Sequence, residues 1–411
     1  MGLRAVGSPP GPQFVLAASA AGASDFVSPS ASTTGVKTSG LGINFIVVAA
    51  NQYAPVVADL SVADTINGNP SGNVWALVMP AAPSSFFGGV NGQPALFYCY
   101  APNVGTNHVF TLTTTNSDFC PRIAVQAFKG MPSTGVNETA SGWYGIGGNT
   151  GPMPSAQYSL GLMSPNNLGD LVISAFGGGL TQSPAVVTVD CGLTITTSII
   201  GLSGFPSLFG ITAGYLVATT PPAQTCTGDV VINGDGTVTI GVESTVGFVS
   251  PVTCTGNVVI TGAIIVIDVD SSAGFTPGMS VDLNGFLSLS LGSFVYNVVS
   301  TTPTSVTVVF FGSFSAGTHT GQTGTVSQNV TLAGFSGELV GLNNAVQAYV
   351  LSVGTGVVTL GSGLVSPSTN PGTYTGQAGA VGVPVNPFWS WGGTLSNAGG
   401  AGMVIFPGDA S

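Results

Sequence analysis

Eight residues, Thr225-Cys226-Thr227-Gly228-Asp229-Val230-Val231-Ile232, return 28 positions later as Thr253-Cys254-Thr255-Gly256-Asn257-Val258-Val259-Ile260. Each copy joins Thr and β-branched residues to a glycine, the mixture of a strand with a local irregularity. The copies stay in step, since Val242-Glu243-Ser244-Thr245-Val246-Gly247-Phe248 matches Val269-Asp270-Ser271-Ser272-Ala273-Gly274-Phe275 after a one-residue slip. A second pair follows, in which Leu283-Asn284-Gly285-Phe286 corresponds to Leu332-Ala333-Gly334-Phe335. Gly317-Thr318-His319-Thr320-Gly321-Gln322-Thr323-Gly324-Thr325-Val326 likewise returns as Gly372-Thr373-Tyr374-Thr375-Gly376-Gln377-Ala378-Gly379-Ala380-Val381. A copied strand-turn unit buries its apolar face against its neighbour. The two pairs differ in period, which favours small β-sandwiches in series over a regular solenoid.

The remainder of the chain is β-like as well. Long helices need charged and straight-chain residues on their solvent faces, and only 5% of the chain is charged while Gly numbers 62 and Pro 27. Strands are predicted at Asn44 to Ala50, Asn73 to Val78, Leu96 to Tyr100, His108 to Thr114, Arg122 to Phe128, Asp170 to Ala175, Leu193 to Ile199 and Ile211 to Thr219. Asn67-Gly68, Asn91-Gly92 and Gly177 to Gly179 supply turns between them. The expected class is all-β and multidomain: a jelly-roll-like N-terminal sandwich followed by small tandem β-sandwich modules. The expected divisions are an N-terminal arm over 1–34, a β-sandwich domain over 35–220, a duplicated β-strand unit over 221–282, a tandem β-module repeat over 283–382 and an appended C-terminal segment over 383–411.

Mean hydropathy is +0.51, yet no run approaches the roughly 20 apolar residues of a spanning helix, so no membrane insertion is expected. Met1 to Ala21 imitates a secretory leader only weakly, because Pro9, Pro10 and Pro12 break its front, and it reads as an arm lying on a neighbour. All four basic residues, Arg4, Lys37, Arg122 and Lys129, precede position 130. Nucleic acid is thereby excluded as a partner of the later chain, since phosphate binding needs clustered cations. Eleven acids follow Lys129 with no Lys or Arg among them. This asymmetry predicts that the first domain anchors and the repeat-bearing part projects. Few charges and many strand edges together predict an oligomer of identical subunits, with a homotrimer the leading expectation.

Chemistry is sparsely supplied. His108 lies in an alternating strand and reads as a structural residue; His319 holds the place of Tyr374 in the sister repeat, which argues against a required imidazole. No Gly-x-Ser-x-Gly elbow and no strand-linked Gly-x-Gly-x-x-Gly is present. Glu243 and Asp270 precede Ser-Thr or Ser-Ser and read as turn-capping carboxylates. Asn233, Asp235, Asp268 and Asp270 offer oxygens to calcium without an EF-type loop, and Asn233 to Gly236 reads first as a hairpin turn. Cys99, Cys120, Cys191, Cys226 and Cys254 fit no zinc spacing and read mainly as buried thiols, with disulfides the alternative. No catalytic residue, cofactor or metal is therefore assigned. Phe388, Trp389 and Trp391 are the remaining candidates, either as an interface between subunits or, with Trp389 and Trp391 on one face of an extended segment, as a sugar-stacking platform.

The series Ile43-Asn44-Phe45-Ile46-Val47-Val48-Ala49, Gly72-Asn73-Val74-Trp75, Leu96-Phe97-Tyr98-Cys99, Gly105-Thr106-Asn107-His108-Val109-Phe110 and Ala124-Val125-Gln126-Ala127-Phe128 resembles a β-sandwich domain recurrent in phage virion and bacterial surface proteins. The Leu-x-Gly-Phe, Tyr-x-Val and Gly-Thr-x-Thr-Gly-Gln units resemble small β-modules of phage fibre and head-decoration proteins. The resemblance implies an extracellular structural protein on the outer surface of a virion, with other virion proteins and host-surface glycans as partners. A carbohydrate-binding adhesin is the second reading and a polysaccharide depolymerase the third. No family active site is implied.

Overall fold

A computed structural model describes residues 14–24, 28–52, 60–79, 94–115, 121–130, 138–144, 153–154, 157–159, 165, 169–180, 187–189, 193–200, 208–218, 223–286, 289, 291, 295–310, 314–344, 348–361, 370–384, 388–391 and 394–407. The chain is all-β and multidomain. One short 3-10 helix, Gly337–Asn344, is present among the described residues.

The first domain is a three-layer stack. Its middle sheet runs Val15–Ala23, Arg122–Lys129, Phe45–Asn51, Ala95–Tyr100, Ala76–Met79, all antiparallel. Phe45, Val47 and Ala49 face one neighbouring sheet and Ile46, Val48 and Ala50 the other. A strand buried on both faces has no polar alternation, which is why residues 45–50 are uniformly apolar. On one side lies the sheet Glu138–Tyr144, Thr394–Phe406, Leu171–Leu180, Leu208–Val217, Thr194–Ile200. On the other lie Ser30–Ser32, His108–Thr114, Leu60–Ile66 and Asn69–Pro70. Full burial of each large apolar side chain contributes roughly 1.5–3 kcal/mol, so the two interfaces together dominate the stability of this domain.

Strands stand at each of the eight predicted places, with ends displaced by a few residues. Asn67-Gly68 is a hairpin turn in which both residues adopt positive φ, 52° and 81°, while Asn91-Gly92 lies outside the described residues. Three expectations are corrected. The described residues among 14–34 are not an arm: Phe14 is buried, Val15–Ala23 pairs along Arg122–Lys129, and Ser30–Ser32 pairs with His108–Thr114. Gly177 to Gly179 form no turn but continue the strand Leu171–Leu180; a Cβ on Gly177 would collide with the side-chain amide of Asn51, so glycine there permits close approach of two layers. The segment 383–411 is not appended, because Thr394–Phe406 lies between Glu138–Tyr144 and Leu171–Leu180 and sends Val404 and Phe406 into the core.

Residues between Ala223 and Pro384 build two closed barrels. The inner one takes Val252–Thr261, Ile264–Val269, Ser305–Val309, Tyr296–Thr302 and Ser280–Asn284 in order around its wall. The first half of Thr325–Ala333 then pairs with Ser280–Asn284 and returns to the start through Val252↔Val326. The outer barrel takes Ala223–Ile232, Val238–Val242, Val357–Leu360 and Ala348–Gly354, then the second half of the same Thr325–Ala333 strand, and closes through Ala380–Gly382. The inner barrel, 251–328, is thus inserted into the outer one, 223–250 with 329–384, and both are inserted into the first domain.

This nesting corrects the tandem divisions 221–282 and 283–382, and the sheets of the two modules close into barrels. The reason is visible in the repeats. The two first strands follow each other directly, whereas the closing strands are separated by the rest of the outer barrel, so an inserted copy yields two different periods. Full closure also leaves the barrel walls without long free edges.

The repeated motifs meet in space. Phe286 lies against Gly324, and Phe335 against Gly379; a Cβ on either glycine would strike the ring. His319 pairs with Val258 as Tyr374 pairs with Val230, which places the two repeat positions on equivalent strands.

Candidate functional site

The aromatic strand Phe388–Trp391 lies between Gln157–Ser159 and Val187–Val189 in a small sheet. Trp389 is wholly buried within its own chain. Its Nε1 donates to Ser174 Oγ at 2.9 Å, and its ring stacks on Phe176 with centroids 6.1 Å apart. Ser174 in turn donates to the Gly402 carbonyl at 3.2 Å, tying the aromatic strand to the C-terminal one. Trp389 is therefore neither a sugar platform nor a contact between subunits; indole burial with a satisfied N–H is a core role. The side chains of Phe388 and Trp391 lie outside the described residues.

A second group was not expected from sequence. Leu60, Val62 and Asp64 alternate onto one face of Leu60–Ile66, so a carboxylate occupies a position whose neighbours face the core. The paired strand brings His108 opposite Ile66. His108 Nε2 meets Asp64 Oδ2 at 2.5 Å, and both side chains are almost fully buried. Trp75 Nε1 donates to Asp64 Oδ1 at 2.8 Å, and Asn73 Nδ2 to Oδ2 at 2.7 Å. On the far side of the imidazole, Nδ1 meets Thr38 Oγ1 at 2.9 Å, and the ring stacks on Phe110 at 4.2 Å.

Burial alone would raise the Asp64 carboxyl, but donation from His108, Ser71, Trp75 and Asn73 outweighs it and holds the group below the ordinary carboxylate value. The order carboxylate, imidazole, hydroxyl resembles a nucleophilic triad in composition only. Thr38 is completely buried, and its Oγ1 already accepts from Gly105 N at 2.9 Å and contacts the Gly105 carbonyl at 3.1 Å. A nucleophile needs room for a reacting carbon beside its oxygen, and this hydroxyl has none. What the group can do is hold shape: it joins the turn after Thr38, the loop through Asn73 and the loop through Gly105. Asn103 reinforces the same corner, receiving Asn73 Oδ1 on its backbone N–H at 2.6 Å and donating to the Ser71 carbonyl at 2.8 Å. The sequence signal that would have found it is Asp64 on an apolar parity, together with one of only two histidines.

The remaining candidates resolve into local roles. Asp270 Oδ1 accepts from the backbone N–H of Thr253 at 3.1 Å and of Ser271 at 2.9 Å, the turn capping anticipated for it. Asp235 Oδ1 accepts from the Thr237 amide at 3.0 Å inside the Asn233 hairpin, which draws its carboxyl downward. Cys99, Cys226 and Cys254 are free, buried thiols, and burial pushes the Cys99 thiol up to about 11; Cys120 and Cys191 lie outside the described residues. Among the described residues no three His, Cys, Asp or Glu side chains gather into a metal-binding group, and no described helix is long and apolar enough to cross a membrane.

No protein-family model matches the chain, and no curated protein matches it.

Proposed function

We propose that this chain is a non-catalytic structural protein displayed on the outer surface of a bacteriophage particle, built from identical copies, in which the three-layer domain anchors and the double barrel projects. The nested connectivity carries this reading. The barrels form a single excursion from a domain that is completed only when the C-terminal strand returns, so the displayed part is held at both of its ends. Closed walls suit prolonged exposure, because they leave little edge for aggregation or strand invasion.

Three further features support it. The best-organised buried polar group, His108 with Asp64, is spent on fixing loops. The projecting part, 223–384, contains acids but no Lys or Arg, which keeps neighbouring copies apart and wet. The resemblance of the strand and module motifs to phage virion components points to the same setting. A glycan-binding role for the aromatic strand loses its basis with Trp389 inside the core.

The test is to place a small affinity tag in the exposed hairpin at Gly262 and image particles purified from cells that produce the chain. Label on the outer surface of particles is the expected result. A chain found only as free monomer in the lysate, or label confined to the particle interior, overturns the proposal.

A further inference from the structure

On the outside of the inner barrel, beside the strand it shares with the outer barrel, several buried side-chain oxygens lack hydrogen-bond partners. Val281, Leu283 and Val326 point into the barrel core. By alternation Ser280 and Asp282 on one strand, and Ser327 and Asn329 on the other, share the opposite face. Asp282 lies directly opposite Ser327, and the neighbouring row is closed by Asn329 Nδ2 donating to Ser280 Oγ at 3.1 Å. Asp282 is 4% exposed and Ser327 and Asn329 are 0% exposed. Asp282 Oδ1, Ser327 Oγ and Asn329 Oδ1 nevertheless meet no hydrogen-bond partner.

We propose that these three oxygens bind a hard, oxygen-seeking cation, with calcium as its natural probe, at the seam between the two barrels. Facing residues of an antiparallel pair stand about 4.5–5.5 Å apart and successive residues on one face about 7 Å apart, so one ion of oxygen-ligand distance near 2.4 Å bridges all three side chains. The bond from Asn329 Nδ2 to Ser280 fixes which end of that amide is oxygen. A buried carboxylate also demands a compensating charge, and this part of the chain has no Lys or Arg to supply one. Left to itself, Asp282 is pushed up to about 6 by burial, which the hydrogen bond with the Leu283 backbone only partly offsets. With one carboxylate the site belongs to the weak class, with affinity in the range of roughly 0.1–1 mM seen in extracellular modules.

Tyr296 gives the test a built-in reporter, because it stands opposite Val281, the residue next to Asp282, and its hydroxyl is pushed upward first by burial and then by the charge of Asp282. The full-length chain, stripped with a chelator, is titrated with calcium at constant pH and followed by thermal unfolding. The midpoint should rise with the logarithm of calcium concentration, and Asp282→Asn should abolish the rise while Asp235→Asn retains it. Terbium, substituted for calcium, should show tyrosine-sensitised emission that calcium displaces and that Tyr296→Phe reduces several-fold. Ser327→Ala serves as the second variant if Asp282→Asn fails to fold, and should weaken the calcium response at least several-fold. An unchanged midpoint in the wild-type chain, an equal response in Asp282→Asn or Ser327→Ala, or full terbium emission from Tyr296→Phe overturns the proposal.

Discussion

Cys226 and Cys254 occupy the same point in two different barrels. Each is buried, in the outer and the inner barrel core respectively. Each stands opposite a valine of the next strand, Val242 or Val269, just before an irregularity that ends at Val230 or Val258. Both thiols should therefore react with a maleimide at matched, slow rates under native conditions, and become fast together in denaturant. Mass spectrometry of time-resolved labelling checks this. One thiol reacting natively while the other stays inert would contradict the equivalence of the barrels.

The glycines under the repeated phenylalanines give a paired prediction. Gly324→Ala and Gly379→Ala each insert a methyl beneath Phe286 or Phe335. Overpacking of this kind costs about 1–3 kcal/mol, and the two losses should be of similar size, read as lower midpoints in urea unfolding with unchanged slope.

The C-terminal strand is expected to be indispensable to the first domain. Phe406 meets Phe45 edge-on with centroids 4.8 Å apart, and Phe406→Ala should cost about 3–5 kcal/mol. A fragment ending at Ala218 should remain unfolded by circular dichroism and thermolysin digestion. Residues 1–218 joined by a short linker to 388–411 should fold.

Asp64 sets a pH dependence whose sign follows from its lowered carboxyl. A carboxylate more acidic when folded stabilises the fold above its ordinary value of 3.8. That contribution is lost as pH falls through the lower folded value. Asp64→Asn turns an acceptor of several donors into a competing donor, at a cost of about 3 kcal/mol. The deficit relative to wild type should be constant from roughly pH 5 upward and shrink on further acidification. Urea midpoints of the two proteins across pH 3–8 measure it.

The all-β class, the turn at Asn67-Gly68, the capping by Asp270 and the buried thiols were legible in sequence because each depends on neighbours a few residues away. The nesting was not. The partners of Thr394–Phe406 and Thr325–Ala333 lie far off in the chain, and alternation says which face is buried without saying against what. Trp389 shows the same limit, since an alternating aromatic pair fits a surface platform and a core strand equally well. Asp64 and His108 belong together through a strand pairing that no local pattern specifies.

The inserted units enter and leave at a single point. Ala223 is the ladder partner of Gly382, and Val252 that of Val326, so the two ends of each barrel stand about one strand spacing, ~5 Å, apart. The double barrel, joined to the first domain through so narrow a doorway, imposes little on that host beyond it. The double barrel has the anatomy of a replaceable cassette: its contents can be exchanged, and the surface offered to the outside renewed, while the frame that holds it keeps its own sequence.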